Sequence, residues 1–138
     1  MRAPVEADTM ALAALMVAAY RGTIEDHSES EAQALIEVHK TFDGDYGGFV
    51  PECSRLVARQ GELLRACLVT RWQDRPFVAF SMTAPQAKRR GLARACLVDA
   101  MQALRTRGET ELRLVVTLAN QPARDLYESL GFVVEQEP

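Results

Sequence analysis

One stretch of the sequence, residues 86–94, constrains the fold more than any other. It follows an apolar run that ends at Thr83, and it leads into a helical pattern that continues to Arg107. The local order is therefore strand, basic turn, helix. Because the first turn of a helix presents unpaired backbone N–H groups and the positive end of the helix dipole, this order predicts an anion site. The alternative is a basic linker that opens a surface helix.

The composition of this turn suits a phosphate group. Three cations, Lys88, Arg89 and Arg90, follow one another in it. Gly91 removes a side chain where a ligand would come closest to the backbone, and Ala93 keeps the next position small. Because short glycine motifs also occur by chance, the turn needs support from elsewhere in the chain.

Capping signals predict two helices before the first strand. Asp8 is a candidate N-cap for a helix through Tyr20. The sequence Ser-Glu-Ser-Glu at residues 28–31 predicts a capping box that opens a second helix. The apolar face predicted for that helix consists of Ala32, Leu35, Ile36 and His39. A glycine-rich loop follows, with Tyr46 in it, and such loops either line a binding site or only connect elements at the surface.

The rest of the chain alternates strands and helices. Periodicity predicts a helix over residues 90–107, with Gly108 as its stop, and another from the N-cap Asn120 to Gly131. The predicted strands are residues 54–59, 62–70, 77–83, 111–118 and 132–134. The whole order predicts a single α/β domain over residues 1–138, with a mixed β-sheet flanked by helices.

Charge and cysteine content narrow the class of protein. The net charge is −3 and there is a single Trp72 without interleaved aromatic residues, which disfavours a nucleic-acid partner. The first fifty residues are mainly acidic and the 86–107 segment mainly basic. One half could attract a cation and the other an anion, or both are solvated helix faces.

Three scattered cysteines without metal-type spacing favour a reduced, cytoplasmic protein and no metal site. Cys67 and Cys96 lie among apolar residues, which predicts core thiols and disfavours Cys96 as a nucleophile. Acidic residues interrupt any signal sequence near the start, and no apolar run reaches the length of a membrane span, so no membrane partner is expected.

Two motifs resemble those of the GCN5-related N-acetyltransferase (GNAT) superfamily, in the family's order and spacing. The pattern Val-x-Pro-x-x-Arg-x-x-Gly-x-Gly corresponds to TAPQAKRRGLA at residues 83–93. The pattern Asn-x-x-Ala-x-x-Leu-Tyr-x-x-x-Gly-Phe corresponds to NQPARDLYESLGF at residues 120–132. The first motif alone is moderately specific, and the pair is highly specific. The chain resembles the superfamily over nearly its whole length.

The resemblance implies a GNAT-like acyl-CoA N-acyltransferase fold, acetyl-CoA as the acetyl donor and an amine as acceptor. In the family the strand before the first motif splays from the next parallel strand, and the pantetheine arm of coenzyme A lies in that gap. The residues that the resemblance assigns to cofactor binding are Ser81, Met82, Thr83, Lys88, Arg89, Arg90, Gly91, Leu92, Ala93, Arg94, Asn120 and Arg124.

Several of these assignments have alternatives. Asn120 would contact pantetheine or fix the loop beneath it, and it is also an N-cap candidate. Arg124 could contact coenzyme A or be a solvated arginine. Lys88 stands where the family usually has Arg or Gln, which keeps a cation but loses bidentate hydrogen bonding. Ala93 replaces a usual Gly, which is a sterically mild exchange.

Tyr127 matches the tyrosine whose hydroxyl protonates the departing thiolate in the family, although its ring could simply pack on the sheet. The implied reaction is direct transfer, in which backbone N–H groups at Met82 or its neighbour polarise the thioester oxygen. The sequence does not identify the general base. Candidate carboxylates in loops are Glu25, Asp26, Asp43, Asp45 and Glu52.

The expected activity is therefore N-acetyl transfer to a primary amine of a small molecule or a protein. The acidic loops would suit a cationic acceptor, such as a polyamine, an aminoglycoside or a lysine side chain. A catalytically inactive coenzyme A-binding sensor is the alternative, and it would not need Tyr127. Compared with the family, the sheet is expected to be short at both edges, which could leave an edge open to pairing in a homodimer.

Overall fold

A computed structural model describes residues 1–135, in which helices pack on both faces of an antiparallel sheet. The helices are α1 (Thr9–Tyr20), α2 (Glu31–Asp43), α3 (Leu92–Thr106) and α4 (Gln121–Ser129). The strands are β1 (Gly48–Phe49), β2 (Arg55–Arg59), β3 (Glu62–Trp72) and β4 (Arg75–Thr83). No helix of the described part is both long and apolar enough to span a membrane.

The capping signals predict one helix start correctly and a second two residues too early, because the box expected at residues 28–31 is formed by Ser30 and Gln33. Ser30 caps α2 reciprocally with Gln33: its hydroxyl accepts from the Gln33 amide at 3.1 Å, and the Gln33 side chain accepts from the Ser30 amide at 2.8 Å. Asn120 caps α4 through the amide of Ala123. Asp8 precedes α1, but its side chain makes no capping bond. It accepts hydrogen bonds from Arg2 and from the Val5 amide instead.

Strand β3 is the centre of the sheet, because it pairs along both of its edges. β4 runs antiparallel along one edge, from Arg65–Thr83 to Trp72–Arg75. β2 and the two-residue β1 share the other edge, one after the other. A single antiparallel bridge from Arg2 to Leu56 continues the sheet beyond β2. The homodimer expected from an open edge stays a prediction.

A bulge in β4 decides where the next segment of chain can pair. Leu68 of β3 faces Phe80 and Val69 faces Val78, so Ala79 has no partner across the ladder. Just before this point, the Val78 amide donates to the carbonyl of Arg113 at 2.8 Å, in a parallel bridge. Because a bulge bends and twists its strand, the two segments separate beyond Val78.

Successive residues of the strands point to opposite faces of the sheet, and each face packs in its own hydrophobic core. Leu56, Ala66 and Leu68 pack with α1 and α2, around Leu12 and Val38. On the opposite face, Cys67, Val69 and Val78 pack with α3 through Cys96, Leu97 and Ala100. The arrangement has three layers with the sheet in the middle, which agrees with the predicted α/β class.

Two predicted strands are absent from the described chain. Residues 111–118 form only the bridge at Arg113, because β4, the strand they would pair with, bends away from them beyond its bulge. Residues 132–134 form no strand, and Val133 is 87% exposed. The mixed character of the sheet therefore rests on one parallel bridge.

The predicted apolar face of α2 is also wrong. Its buried residues are Ala34, Val38 and Thr41. Of the predicted face, Leu35 is only partly buried, while Ala32, Ile36 and His39 are exposed. For α3, by contrast, the buried positions Cys96, Leu97, Ala100 and Leu104 follow the helical periodicity from which the helix was predicted.

Candidate active site

A cleft of about 1440 Å³ opens where β4 separates from the segment that follows α3. One wall comes from α1, α2 and the connection between them. The floor is the second half of β4. The other wall comprises the turn before α3, residues 114–120 and α4. The volume exceeds the ~300–1,000 Å³ of an ordinary small-ligand site, so it can hold an extended ligand together with a second molecule.

The floor of the cleft can bind a ligand through the backbone groups on the free edge of β4. In the described chain the last backbone hydrogen bond between β4 and the 111–118 segment is the one at Val78. Residues 79–83 therefore keep unpaired N–H and C=O groups on that edge, facing Val115 and Val116 across the opening. An extended ligand with amide groups can pair with such an edge as an additional strand.

The turn before α3 forms a cradle of N–H groups. Arg89 and Gly91 both have left-handed backbones, with φ of 65° and 75°. The first helical hydrogen bond comes from the Ala95 amide to the Gly91 carbonyl at 3.0 Å, so the amides of the first turn stay free. An added Cβ at Gly91 would meet no protein atom within 4 Å, so crowding does not require a glycine there. The left-handed backbone is what favours glycine at this position. The space beside it is open to a ligand.

Most residues assigned to the cofactor on sequence grounds line this cleft. They are Ser81, Met82, Thr83, Lys88, Arg89, Gly91, Leu92, Ala93, Arg94 and Asn120. Arg90 and Arg124 lie outside the lining. The Arg124 guanidinium donates to the Leu118 carbonyl at 3.0 Å, which orders the start of α4. These two arginines are therefore not part of the cleft wall.

Helix α4 brings Tyr127 to the cleft. Its N-cap Asn120 also lines the cleft, so capping α4 and forming the wall are compatible roles for one side chain. The Tyr127 ring packs edge-on against Phe132, with centroids 5.7 Å apart. Packing against Phe132 fixes the ring and leaves one side of Tyr127 toward the cleft.

The part of the cleft that is lined by α2 and the connection before it is acidic, and we call it the acidic end. Glu25, Glu29 and Glu37 line it together with His27. The Tyr46 hydroxyl donates to the Glu37 carboxylate, and this bond raises the pKa of Tyr46 to about 12. The Tyr46 ring also packs edge-on against Phe80 in the floor of the cleft. Tyr46 therefore links Glu37 of α2 to β4.

Of the loop carboxylates proposed as bases, Glu25 alone lines the cleft. Asp26 accepts from the amides of Gly22 and Ser28 at 2.9 and 2.8 Å, which closes a turn and holds its pKa below the usual range. Glu52 pairs with Arg107 at 3.0 Å, and Asp43 and Asp45 are likewise outside the lining.

Arg65 is a cleft residue that the sequence reading missed. It stands in the middle of β3 and is only 2% exposed. Its guanidinium donates to the hydroxyl of Thr83 at 3.0 Å and to that of Ser81. Its Nε is buried without a partner among the described residues. A charged residue inside the apolar run Leu-Leu-Arg-Ala-Cys-Leu-Val was the available signal, because buried arginines are rare.

Tyr20 is the second residue that sequence reasoning missed. It ends α1 and lines the cleft with Tyr127. Burial, followed by the negative charge of Glu25, raises the pKa of Tyr20 above its ordinary value, and the positive charge of Arg65 opposes the shift. Tyr20, Tyr127 and Arg65 all line the cleft.

The three cysteines are buried free thiols. Burial raises the pKa of Cys67 to about 12, and it raises that of Cys96 above its usual range. A raised pKa suppresses the thiolate that a nucleophile requires. The prediction of core thiols is confirmed. Among the described residues no cluster of metal-ligating side chains was found.

Known proteins share the sequence pattern and the fold of this chain. The family model for the acetyltransferase (GNAT) family matches residues 11–132. No curated protein sequence matches at a significant level.

Several solved structures share the fold. The ribosomal-protein-S18-alanine N-acetyltransferase from Escherichia coli superposes with a TM-score of 0.75 at 24% identity, covering 97% of this chain and 77% of its own. An acetyltransferase of the GNAT family from Streptococcus pneumoniae gives 0.71 at 21% identity, with 97% and 83% covered. The PaiA N-acetyltransferase from Thermoplasma acidophilum, in complex with coenzyme A, gives 0.74 at 16% identity, with 99% and 91% covered.

Proposed function

The chain belongs to the acetyltransferase (GNAT) family, and from that premise we propose that it is an N-acetyltransferase that moves an acetyl group from acetyl-coenzyme A directly to a primary amine. One observation carries the proposal. A single cleft joins an unpaired strand edge, a helix N-terminus with free amides, and Tyr127. Each of these suits a different part of acetyl-coenzyme A.

The residues present fit that cofactor. The amides at the start of α3, with Lys88, Arg89 and Arg94 beside them, would hold the pyrophosphate. The free edge of residues 79–83 would pair with the amide groups of the pantetheine arm. The buried cation Arg65 also lines the cleft and donates hydrogen bonds to Ser81 and Thr83 of β4. Its Nε lacks a partner in the described chain. When bound, acetyl-coenzyme A supplies an activated thioester to the acceptor.

The chain's own groups would then assist transfer. Unpaired N–H groups on the free edge of β4, at Met82 or its neighbour, would stabilise negative charge on the thioester oxygen. The Tyr127 hydroxyl would donate a proton to the departing sulfur. Glu25, Glu29 and Glu37, which line the acidic end, are the candidates for accepting the proton of the amine, directly or through water.

We further propose a cationic acceptor. Three carboxylates and His27 line the acidic end of the cleft, and apolar Ile24 and Ile36 belong to the same lining. This combination would attract an ammonium group and contact the carbon chain that carries it. Aliphatic diamines, aminoglycosides and lysine side chains share that chemistry.

The test is release of free thiol from acetyl-coenzyme A with a panel of primary amines, checked by mass spectrometry of the acetylated product. We expect turnover with at least one cationic amine and weaker turnover with neutral amines. Tight binding of acetyl-coenzyme A without turnover on any amine would instead support a coenzyme A sensor. No binding at all would contradict both proposals.

A further inference from the structure

Arg65 is a buried cation without a counter-charge. No carboxylate in the described part of the chain pairs with it, and its guanidinium donates to two neutral hydroxyls, on Ser81 and Thr83. The one carboxylate of α3, Asp99, pairs with Arg55 instead. Burying an unpaired charge is costly, and neutral hydrogen bonds recover only part of that cost. Because the Nε of Arg65 also has no partner in the described chain, the surrounding protein leaves this cation incompletely solvated.

The strand register places Arg65 beside the segment that leads into α3. Arg65 of β3 faces Thr83, the last residue of β4, directly before that segment. Both side chains lie on the sheet face that packs against α3, because Cys67, two residues after Arg65, shares a core with Cys96 of the helix. The guanidinium also contacts the Cys96 thiol, where it opposes the rise in pKa that burial causes.

The contact with Cys96 lies under the first turn of α3. Cys96 stands four residues after Leu92, the first residue of the helix, and a helical side chain leans toward the N-terminus of its helix. The Arg65 guanidinium therefore lies below the start of α3, where the amides of residues 92–94 have no helical acceptor. Arg65, Gly91 and Leu92 line the same cleft. Two sources of positive potential, the helix terminus and a buried guanidinium, thus meet at one place.

We propose that Arg65 is a further binding determinant for the diphosphate of coenzyme A, and that it acts from beneath the first turn of α3. This inference rests on the proposed function. The diphosphate supplies the negative charge that Arg65 lacks in the free protein, so binding relieves an electrostatic cost of the fold. Because Arg65 is 2% exposed, solvent screens its charge less than that of an exposed cation at the same distance.

Titration calorimetry with three ligands that share the diphosphate tests this assignment. Coenzyme A carries the diphosphate, the 3′-phosphate and the pantetheine arm. The ligand 3′-dephospho-coenzyme A lacks the 3′-phosphate, and the nucleotide 3′-phosphoadenosine 5′-diphosphate lacks the pantetheine arm. A loss of affinity that is equal for all three therefore belongs to the part that they share.

For Arg65→Met we expect all three affinities to weaken by the same factor of about tenfold, which corresponds to about 1.4 kcal/mol. Arg65→Lys keeps a cation and should retain most of each affinity. This variant separates an effect of charge on the diphosphate from an effect on the adenosine, which the three ligands also share but which is uncharged. The matched control is Arg105→Met, which removes an exposed cation of α3 outside the cleft lining and should change none of the three affinities.

Thermal unfolding gives a second readout. The free Arg65→Met protein should unfold cooperatively at or above the wild-type temperature, because an apolar side chain replaces an unpaired buried charge. At a fixed concentration of coenzyme A its unfolding temperature should rise less than that of the wild type, since a weaker ligand stabilises less. If that variant fails to fold, Ser81→Ala with Thr83→Val removes the two hydroxyls that hold the guanidinium. The double variant should weaken binding of the nucleotide, which has no pantetheine arm to contact β4.

Three kinds of result would overturn the inference while leaving the proposed function intact. A loss for both forms of coenzyme A without a loss for the nucleotide would assign Arg65 to the pantetheine arm. A loss that spares the dephospho form would assign it to the 3′-phosphate. No loss for any ligand, or an equal loss in Arg65→Lys, would make Arg65 a core residue. If the wild-type protein bound no coenzyme A derivative, the proposed function itself would fail.

Discussion

Two tyrosines line the cleft, and their environments predict different roles. Burial and the charge of Glu25 raise the pKa of Tyr20, which makes its hydroxyl a poorer proton donor. Tyr127 lies on α4 within the second motif and is held by Phe132. The raised pKa disfavours Tyr20 as the acid, and the motif match together with the packing on Phe132 supports Tyr127.

We predict that Tyr127→Phe lowers kcat about a hundredfold, with the KM for acetyl-coenzyme A within about twofold of wild type. Tyr20→Phe is the matched control and should keep kcat within about threefold. Steady-state thiol release with the best amine of the panel measures both. A loss in Tyr20→Phe with full activity in Tyr127→Phe would reverse the assignment.

Asp8 supports the edge of the sheet through Arg2, which forms the bridge to Leu56. The hydrogen bond from Arg2, followed by that from the Val5 amide, lowers the pKa of Asp8 below its ordinary 3.8. A lowered folded-state pKa contributes stability that is present above about pH 4 and is lost as the pH falls through the folded value.

Asp8→Asn should therefore lower the free energy of unfolding at pH 7 by about 1 kcal/mol, a modest figure because Arg2 is half exposed and solvent screens the pair. The difference from wild type should shrink at pH 3. Urea unfolding at both pH values measures it, with Glu128→Gln on the exposed face of α4 as a control. A difference that is independent of pH would contradict the assigned ion pair.

At the scale of elements, Gly47 fixes the turn that brings β1 onto β3. Its φ is 96°, and an added Cβ would overlap the Arg71 carbonyl oxygen and lie 2.7 Å from the carbonyl carbon. Arg71 pairs with Gly48 of β1 and with Pro76 of β4, so moving its carbonyl would disturb both ladders. Gly48, the next residue, has nothing within 4 Å of an added Cβ.

Gly47→Ala should lower the free energy of unfolding by at least about 2 kcal/mol, whereas Gly48→Ala should stay within about 1 kcal/mol of wild type. Urea unfolding of the pair decides the question, since both variants add one methyl group to the same turn. Equal effects would mean that the close approach to Arg71 is absent.

The elements that were predicted from sequence are those with a strong local signal. Asn120 caps α4 as predicted, the capping box of α2 lies two residues after the predicted one, and the buried positions of α3 follow a helical period, so these helices could be predicted from sequence. Residues 111–118 have the composition of a strand, but β4 bends away from them at the bulge around Ala79, so the two segments do not pair beyond that point. A bulge depends on tertiary packing and leaves no clear mark in the sequence.

The buried face of α2 was missed for a different reason. Its contacts come from Ala34 and the hydroxyl residue Thr41 as well as Val38, and the more apolar Ile36 points outward. Small and polar side chains carry little hydrophobic signal, so periodicity selected another face. Arg65 was overlooked in the same way, because strand propensity says nothing about a charge that the fold encloses.

At the scale of the molecule, the cleft is divided by charge. Lys88, Arg89 and Arg94 belong to the turn before α3 and its first helical turn, whereas Glu25, Glu29 and Glu37 belong to α2 and the connection before it. A ligand with a diphosphate and a ligand with an ammonium group would therefore be attracted to different parts of one cleft.

The division predicts a selective effect of the acidic end. Replacing Glu25, Glu29 and Glu37 together by Gln should raise the KM for a diamine acceptor about tenfold and leave the KM for acetyl-coenzyme A within about twofold. The control replaces Glu6, Glu31 and Glu128, which lie outside the lining, and changes the net charge equally. Equal effects of the two triple variants would assign the change to overall charge.

The central claim is that this cleft holds acetyl-coenzyme A with its thioester beside Tyr127. A crystal structure of the complex with coenzyme A tests it most directly. We expect the pyrophosphate on the amides of residues 89–94, the pantetheine arm paired with residues 79–83, and the sulfur within hydrogen-bond reach of the Tyr127 hydroxyl. Coenzyme A bound elsewhere on the molecule, or in the cleft with its sulfur directed away from Tyr127, would contradict the account.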